Sequence, residues 1–330
     1  MAPAIALTIG DPNGIGPEIA VKAAARLARE GGPAVVLIGD EFVVRHYAAA
    51  SASDLSIARF DAQAARPGAL QFLAVDALSP DDFRSGTALA AGGRATVDYV
   101  AAAMRFVAEG HATAIVACPH SESNVNAAGI AFSGYPSLLA RLMNLSEDEV
   151  FLMLVGGGLR IVHVTLHERL QTALARITPE LVERATRTAA AALQRLGIKR
   201  PRIGLCGINP HAGEGGLFGD DDDRITVPVV RRLQEAGLDV EGPIGADLML
   251  GRPGFDAFVA MYHDQGHIPV KLLAGRNSAA LSIGAGLLFS SVGHGSAFDI
   301  AGRGVAEPEA VLRSIQLVCG ASRFEDAATS

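Results

Sequence analysis

Five of the nine histidines fall in three short segments: His163 and His167 in IVHVTLHE, His211 in GINPHAGEGG, and His263 and His267 in MYHDQGH. Each segment reads as an apolar strand giving way to a loop. Neutral imidazoles converging from separate strand ends suit a divalent cation such as Zn²⁺, Fe²⁺, Co²⁺ or Ni²⁺, and three of them leave coordination positions open for substrate oxygens. Taken singly, each histidine fits better as a satisfied core or loop residue; three such segments together shift the balance toward a metal site. An extended backbone puts His163, Thr165 and His167 on one face, so spacing does not choose between the two histidines there, nor between His263 and His267.

Two glycine-rich loops come next. Residues 8–18, TIGDPNGIGPE, run from a strand through a loop into a helix starting at Gly16 or Pro17. Such a junction lets backbone amides approach an anion or cofactor, or it is simply a tight turn. It is neither a GxGxxG fingerprint nor a Walker loop. Residues 293–306, GHGSAFDIAGRGVA, could wrap a nucleotide or merely lead into a helix. The acidic run 220–223 reads as a solvated loop rather than a metal site.

The elements that would position these residues alternate in kind. Short apolar runs over 5–9, 34–38, 112–117, 151–155, 160–165, 202–206 and 257–261 predict strands. Alanine-rich amphipathic stretches over 16–28, 92–108, 136–143, 179–196, 227–235 and 308–319 predict helices. The class is therefore α/β with a mainly parallel sheet. At 330 residues, 49% hydrophobic, two lobes are expected, although no linker cuts the chain. A net charge of -7 without clustered Lys and Arg excludes a nucleic-acid footprint. No apolar run is long enough to span a membrane, and the N-terminus carries no secretory pattern. Three scattered cysteines, Cys118, Cys206 and Cys319, suggest neither disulfides nor a CxxC site. A soluble cytoplasmic protein is expected.

The motifs TIGDPNGIGPEI, GINPHAGEGG, GPIGAD, MYHDQGHIPVK and SVGHGSAFDIAGRG resemble the 4-hydroxythreonine-4-phosphate dehydrogenase family over nearly the whole chain. The first and last are also similar to the isocitrate and isopropylmalate dehydrogenase group. The resemblance implies a two-lobed α/β/α fold with the active site in the cleft between lobes. The first lobe would be discontinuous, 1–130 plus 272–330, and the second would be 131–271. It implies NAD held by Asp11, Gly14, His294, Gly295, Ala297 and Asp299, and a homodimer. It implies one divalent metal, Zn²⁺ first and Fe, Co, Ni, Mn or Mg as alternatives, on His167, His211 and His263, the last reaching across the subunit interface. His163 and His267 stand where the family has apolar residues and are left out of the ligand set. Lys271 takes the place of a substrate-contacting lysine, and with Asp247 it is a candidate proton carrier.

Departures from the family pattern bear on the substrate. A Gly-His-Thr-Glu substrate motif is replaced by Gly134-Tyr135-Pro136-Ser137, and a substrate-binding asparagine and arginine fall on Ala280 and Phe289. A lysine falls on Glu122. Alanine and phenylalanine cannot donate charge-assisted hydrogen bonds, so a phosphate ester is disfavoured. ACPH, AGIAFSGYPSLLA, VFLMLVGGGLRIVHVTLHE and LFGDDDDRITVP resemble the branch acting on cis-dihydrodiol dicarboxylates of terephthalate degradation. That implies an aromatic dihydrodiol acid as substrate, oxidised and decarboxylated to a catechol acid, with Tyr135, Ser137 and Lys271 contacting it. Glu122 and Arg276 are further candidates near its carboxylates. A phosphorylated four-carbon hydroxy acid is the alternative.

Overall fold

The computed structural model describes residues 4–63, 68–275 and 278–320, so Arg276 lies outside the described residues. The chain opens with β1 (Ala4–Thr8), α1 (Gly16–Glu30), β2 (Val35–Gly39), α2 (Glu41–Ser51), β3 (Ile57–Arg59), β4 (Leu70–Ala74), α3 (Ala90–Ala108), β5 (Ala112–Ala117) and α4 (Glu122–Ala127). The middle supplies α5 (Tyr135–Leu142), β6 (Phe151–Gly156), β7 (Leu159–His163), α6 (Leu170–Arg176), α7 (Pro179–Arg195), β8 (Arg202–Cys206), α8 (Val227–Glu235) and β9 (Asp239–Ile244). It continues through α9 (Ala246–Met249), β10 (Ala257–Ala260), α10 (His263–Ala274) and β11 (Ala279–Gly284), before β12 (Leu287–Ser291) and α11 (Glu309–Val318). No described helix is long and apolar enough to cross a membrane.

Two units divide the chain. The first falls within Met1–Gly134 and Leu288–Ala321, the second within Tyr135–Leu287. In the first, strands run β3-β4-β2-β1-β5-β12, each pair parallel. β1 is buried along its whole length, as a parallel strand covered on both faces must be. In the second the order is β11-β6-β7-β10-β8-β9, with β11-β6 and β6-β7 antiparallel. The expected boundary at 271/272 is thereby corrected: residues 272–287 go with the second unit, because β11 pairs with β6.

Close approach decides where glycine is required. A Cβ on Gly93 of α3 would stand 2.2 Å from the backbone carbon of Asn124 and 2.4 Å from the Val125 nitrogen in α4. Rigid backbone cannot yield there, so G93A destabilises the protein by about 1–3 kcal/mol, read as a lower urea midpoint at unchanged slope.

Burial pushes His120, which follows β5, down to about 4. Its folded value lies below the unfolded one, so both states are neutral above pH 6.5, and between there and pH 4 only the unfolded chain gains this proton. Each pH unit then removes about 1.4 kcal/mol. Urea titrations should show a loss of roughly 3 kcal/mol across that window, absent in H120Q.

Candidate active site

β10 lies between β7 and β8 in parallel register, with Val259 opposite Val162 on one side and Leu205 on the other. The three histidine segments therefore leave the sheet at the same edge. β7 ends at His163, after which the chain bends. His163 is buried, with 1% exposure, while His167 is exposed. The expected shared face of His163, Thr165 and His167 is corrected: it needs extended backbone through 167, and the strand ends at His163 with the chain bending at residues 164 and 165.

His263 and His267 sit not in a loop but on the first turns of α10, four residues apart and on one face. Their rings stack with centroids 3.7 Å apart, and His167 lies 5.3 Å from His263. One ring nitrogen from each of His167, His263 and His267 comes within 4.8 Å of one from each of the others. Among the described residues this is the imidazole cluster that forms, and His211 is not part of it. Burial pushes His163 down to about 3 and His267 to about 4, so both rings are neutral at pH 7.

His211 stands on the loop after β8, 58% exposed, with Nδ1 2.7 Å from Glu214 Oε2. His211, Ala212 and Glu214 all have φ near +50°, a conformation that costs a non-glycine residue free energy and persists only when its surroundings enforce it. Asp222 supplies part of that enforcement. Buried at 0% exposure, its carboxylate accepts from the amides of Ile208 and Asn209 at 2.8 and 2.9 Å and from Thr226 Oγ1 at 2.7 Å. The expected solvated acidic loop is corrected at this position: Asp222 anchors the loop that carries His211.

A metal fits the donors present. His263 Nδ1 is 2.7 Å from Asp264 Oδ1, and His211 pairs with Glu214 in the same way. A carboxylate on Nδ1 holds the proton there and leaves Nε2 with its lone pair, the arrangement that orients imidazole ligands.

Lys271 continues the α10 face one turn past His267 and donates to Ser278 Oγ at 2.7 Å. Asp247 is exposed on α9. A Cβ on Gly245 would lie 2.8 Å from Asp247 Oδ1 and 3.4 Å from the His211 nitrogen, so this glycine lets both approach. Tyr135 is buried at the start of α5 and Ser137 is partly exposed. Phe289 is fully buried on β12, Ala280 on β11 stands opposite Leu154, and Glu122 is exposed.

In the first unit the two glycine-rich loops pack together. Ile15 N donates to Ser296 O at 2.9 Å, and a Cβ on Gly14 would meet Ser296 Cβ at 2.7 Å. Gly14 and Asp11 are buried. The Asp11 carboxylate accepts from Asn124 Nδ2 at 2.8 Å and the Asn13 amide at 3.0 Å, while burial raises its pKa. Glu18 of α1 is buried as well and accepts from Lys22 and from the amides of Gly304 and Ala306, fixing the end of the second loop. His294, Gly295 and Asp299 are exposed and Ala297 partly so.

Comparison with known proteins is consistent with this layout. The family pattern described as "Pyridoxal phosphate biosynthetic protein PdxA" matches residues 32–318. A 1,2-dihydroxy-3,5-cyclohexadiene-1,4-dicarboxylate dehydrogenase from Comamonas sp is 47% identical over 95% of this chain and 96% of its own. A D-threonate 4-phosphate dehydrogenase from Cupriavidus necator is 39% identical over 95% and 96%. The crystal structure of a terephthalate 1,2-cis-dihydrodiol dehydrogenase from Burkholderia xenovorans LB400 superposes with a TM-score of 0.81 at 54% identity, covering 96% of this chain and 98% of that one.

Proposed function

The chain belongs to the PdxA family and is a dehydrogenase, and from that premise we propose that it oxidises a cis-dihydrodiol dicarboxylate of terephthalate breakdown with NAD and a divalent metal. The likeness to the Comamonas enzyme, 47% identical end to end, carries the reading. The overall change would be dihydrodiol dicarboxylate plus NAD⁺ to protocatechuate, CO₂ and NADH. Two hydrogens leave the substrate, one as hydride and one as a proton, and the ketone formed β to a carboxylate loses CO₂ as the ring becomes aromatic.

When bound, the cation would draw charge from the substrate's hydroxyl and carboxylate oxygens, and NAD would accept the hydride. His167, His211 and His263 would hold the cation through Nε2, with Asp264 and Glu214 orienting two of them. Lys271 or Asp247 would carry the hydroxyl proton. Tyr135 and Ser137 would bound the ring. Exposed His294, Gly295 and Asp299 and partly exposed Ala297 would face the nucleotide, and Asp11 and Gly14 would fix the loop behind them. We assign the working form to a homodimer in the cytoplasm, where His263 of the partner subunit supplies the third imidazole. The exposed apolar side chains of α10, Ile268 at 53% and Leu272 at 81%, support such an interface. Light scattering at the mass of a single chain would refute it.

Purified protein given NAD and the terephthalate cis-dihydrodiol should release NADH and CO₂ in equal amounts. Dialysis against a strong chelator should stop both, and added Zn²⁺ or Co²⁺ should restore them. Unchanged turnover in fully metal-free protein would end the metal-dependent reading.

A further inference from the structure

We propose that Glu18 and Lys22 are the positioning pair for the nucleotide: without touching it, they set the shape of loop 293–306 and, through that shape, the affinity for NAD. The inference rests on the reading that this loop faces NAD, and it involves none of the metal ligands.

Loop 293–306 has little to hold its shape by itself. It carries glycine at 293, 295, 302 and 304, and most of its residues are exposed. Its near end is pinned by the Ile15 amide, which donates to the Ser296 carbonyl at 2.9 Å. Its far end is pinned by α1. Lys22 Nζ has three N–H donors, and three acceptors stand 2.8 Å from it: Glu18 Oε1 and the carbonyls of Gly304 and Ala306. Glu18 completes the pattern, accepting from the Ala306 amide on Oε1 at 2.9 Å and from the Gly304 amide on Oε2 at 3.2 Å. Gly304 and Ala306 thus have both N–H and C=O taken by one acid–base pair, much as a neighbouring strand would take them.

Both side chains are committed to this task. Glu18 is 1% exposed and all three Lys22 donors are occupied, so neither is available to a ligand. Every bond in the set has a charged partner, the stronger class, and removing either residue leaves the other charge without its counterpart. Ile15, Glu18 and Lys22 lie within eight residues at the start of α1, so one helix end grips both ends of the loop and fixes it against residues 8–18. A loop held in one shape beforehand loses little freedom when the nucleotide binds, whereas a loose one must be ordered at the expense of affinity.

The test is NAD⁺ affinity of the purified full chain by isothermal titration calorimetry, with hydrogen exchange of the 302–307 amides and Co²⁺ affinity as further readouts. K22M keeps most of the stem and removes the three donors, and E18Q turns an amide nitrogen toward a backbone N–H. Each should raise the NAD⁺ dissociation constant at least about 10-fold. Co²⁺ affinity should stay within about threefold of wild type, since the metal ligands share no partner with the pair. In steady-state assays the change should appear in KM for NAD rather than in kcat; a merely structural role would lower kcat, thermal midpoint and metal affinity together. R26A, which removes an exposed ion pair between α1 and Glu309 of α11, should leave NAD⁺ affinity as it is. In wild type the Gly304 and Ala306 amides should be protected from exchange, and E18Q should release them. Wild-type NAD⁺ affinity in both K22M and E18Q, or free exchange of both amides in wild type, would overturn the proposal and leave the functional reading intact. Wild type that binds no NAD⁺ would overturn both.

Discussion

His263→Ala lowers NADH formation from the dihydrodiol dicarboxylate by about 10³-fold or more, about 4 kcal/mol of transition-state stabilisation. His263 belongs to the proposed ligand set, so its loss removes an imidazole from the metal site. It also leaves Asp264 without the ring it polarises. His263 is 35% exposed, so alanine there leaves a gap open to solvent and costs chiefly the stacking on His267. Thermal midpoint and circular dichroism should therefore stay close to wild type while activity collapses, and metal content by mass spectrometry should fall with it. Retention of a tenth of wild-type kcat in a metal-free H263A protein would remove the metal centre from the mechanism.

The sequence patterns that specify the sheet were legible because strands buried on both faces read as unbroken apolar runs, whether parallel or antiparallel: FLMLV, RIVH and AFVAM stand out without help. β11 did not, since AALSIG has little β propensity of its own and owes its strand to pairing with β6. Helix α10 is hard to see in the sequence, where MYHDQGH reads as a strand giving way to a loop; it carries Gly266 and Pro269, both poor helix formers, and Gly266 is there for the contact with His163. The convergence of the histidine segments could be inferred from their position after strands. Their grouping could not. Which imidazoles meet depends on where β7 stops, and a strand that ends at His163 rather than two residues later sends His167 outward and leaves His163 in the core. A four-residue spacing of His263 and His267 was the one available signal, meaningful only on a helix. Asp222 was hidden in a run of four identical residues, where composition suggests solvent and only tertiary context shows that one of the four satisfies two backbone amides.

Phosphate esters of four-carbon hydroxy acids should be turned over with kcat/KM at least about 10³-fold below that of the dihydrodiol dicarboxylate. A phosphate needs charge-assisted donors worth about 1.5–3 kcal/mol each, so two missing donors account for about 3–6 kcal/mol. The residues at issue are placed so that they cannot substitute. Phe289 is fully buried on β12 opposite Ile115, and Ala280 packs against the core formed by Leu154, Ile161 and Phe258. Tyr135, at 6% exposure, offers a ring and a hydroxyl but no charge. Restoring the phosphate preference by F289R alone should fail, since a guanidinium at a fully buried position destabilises the fold by several kcal/mol before it can bind anything. Steady-state assays of both substrates on one preparation decide the matter: a phosphate ester within tenfold of the dihydrodiol would show that cations elsewhere neutralise it and that the substitutions at Tyr135, Ala280 and Phe289 do not set the substrate.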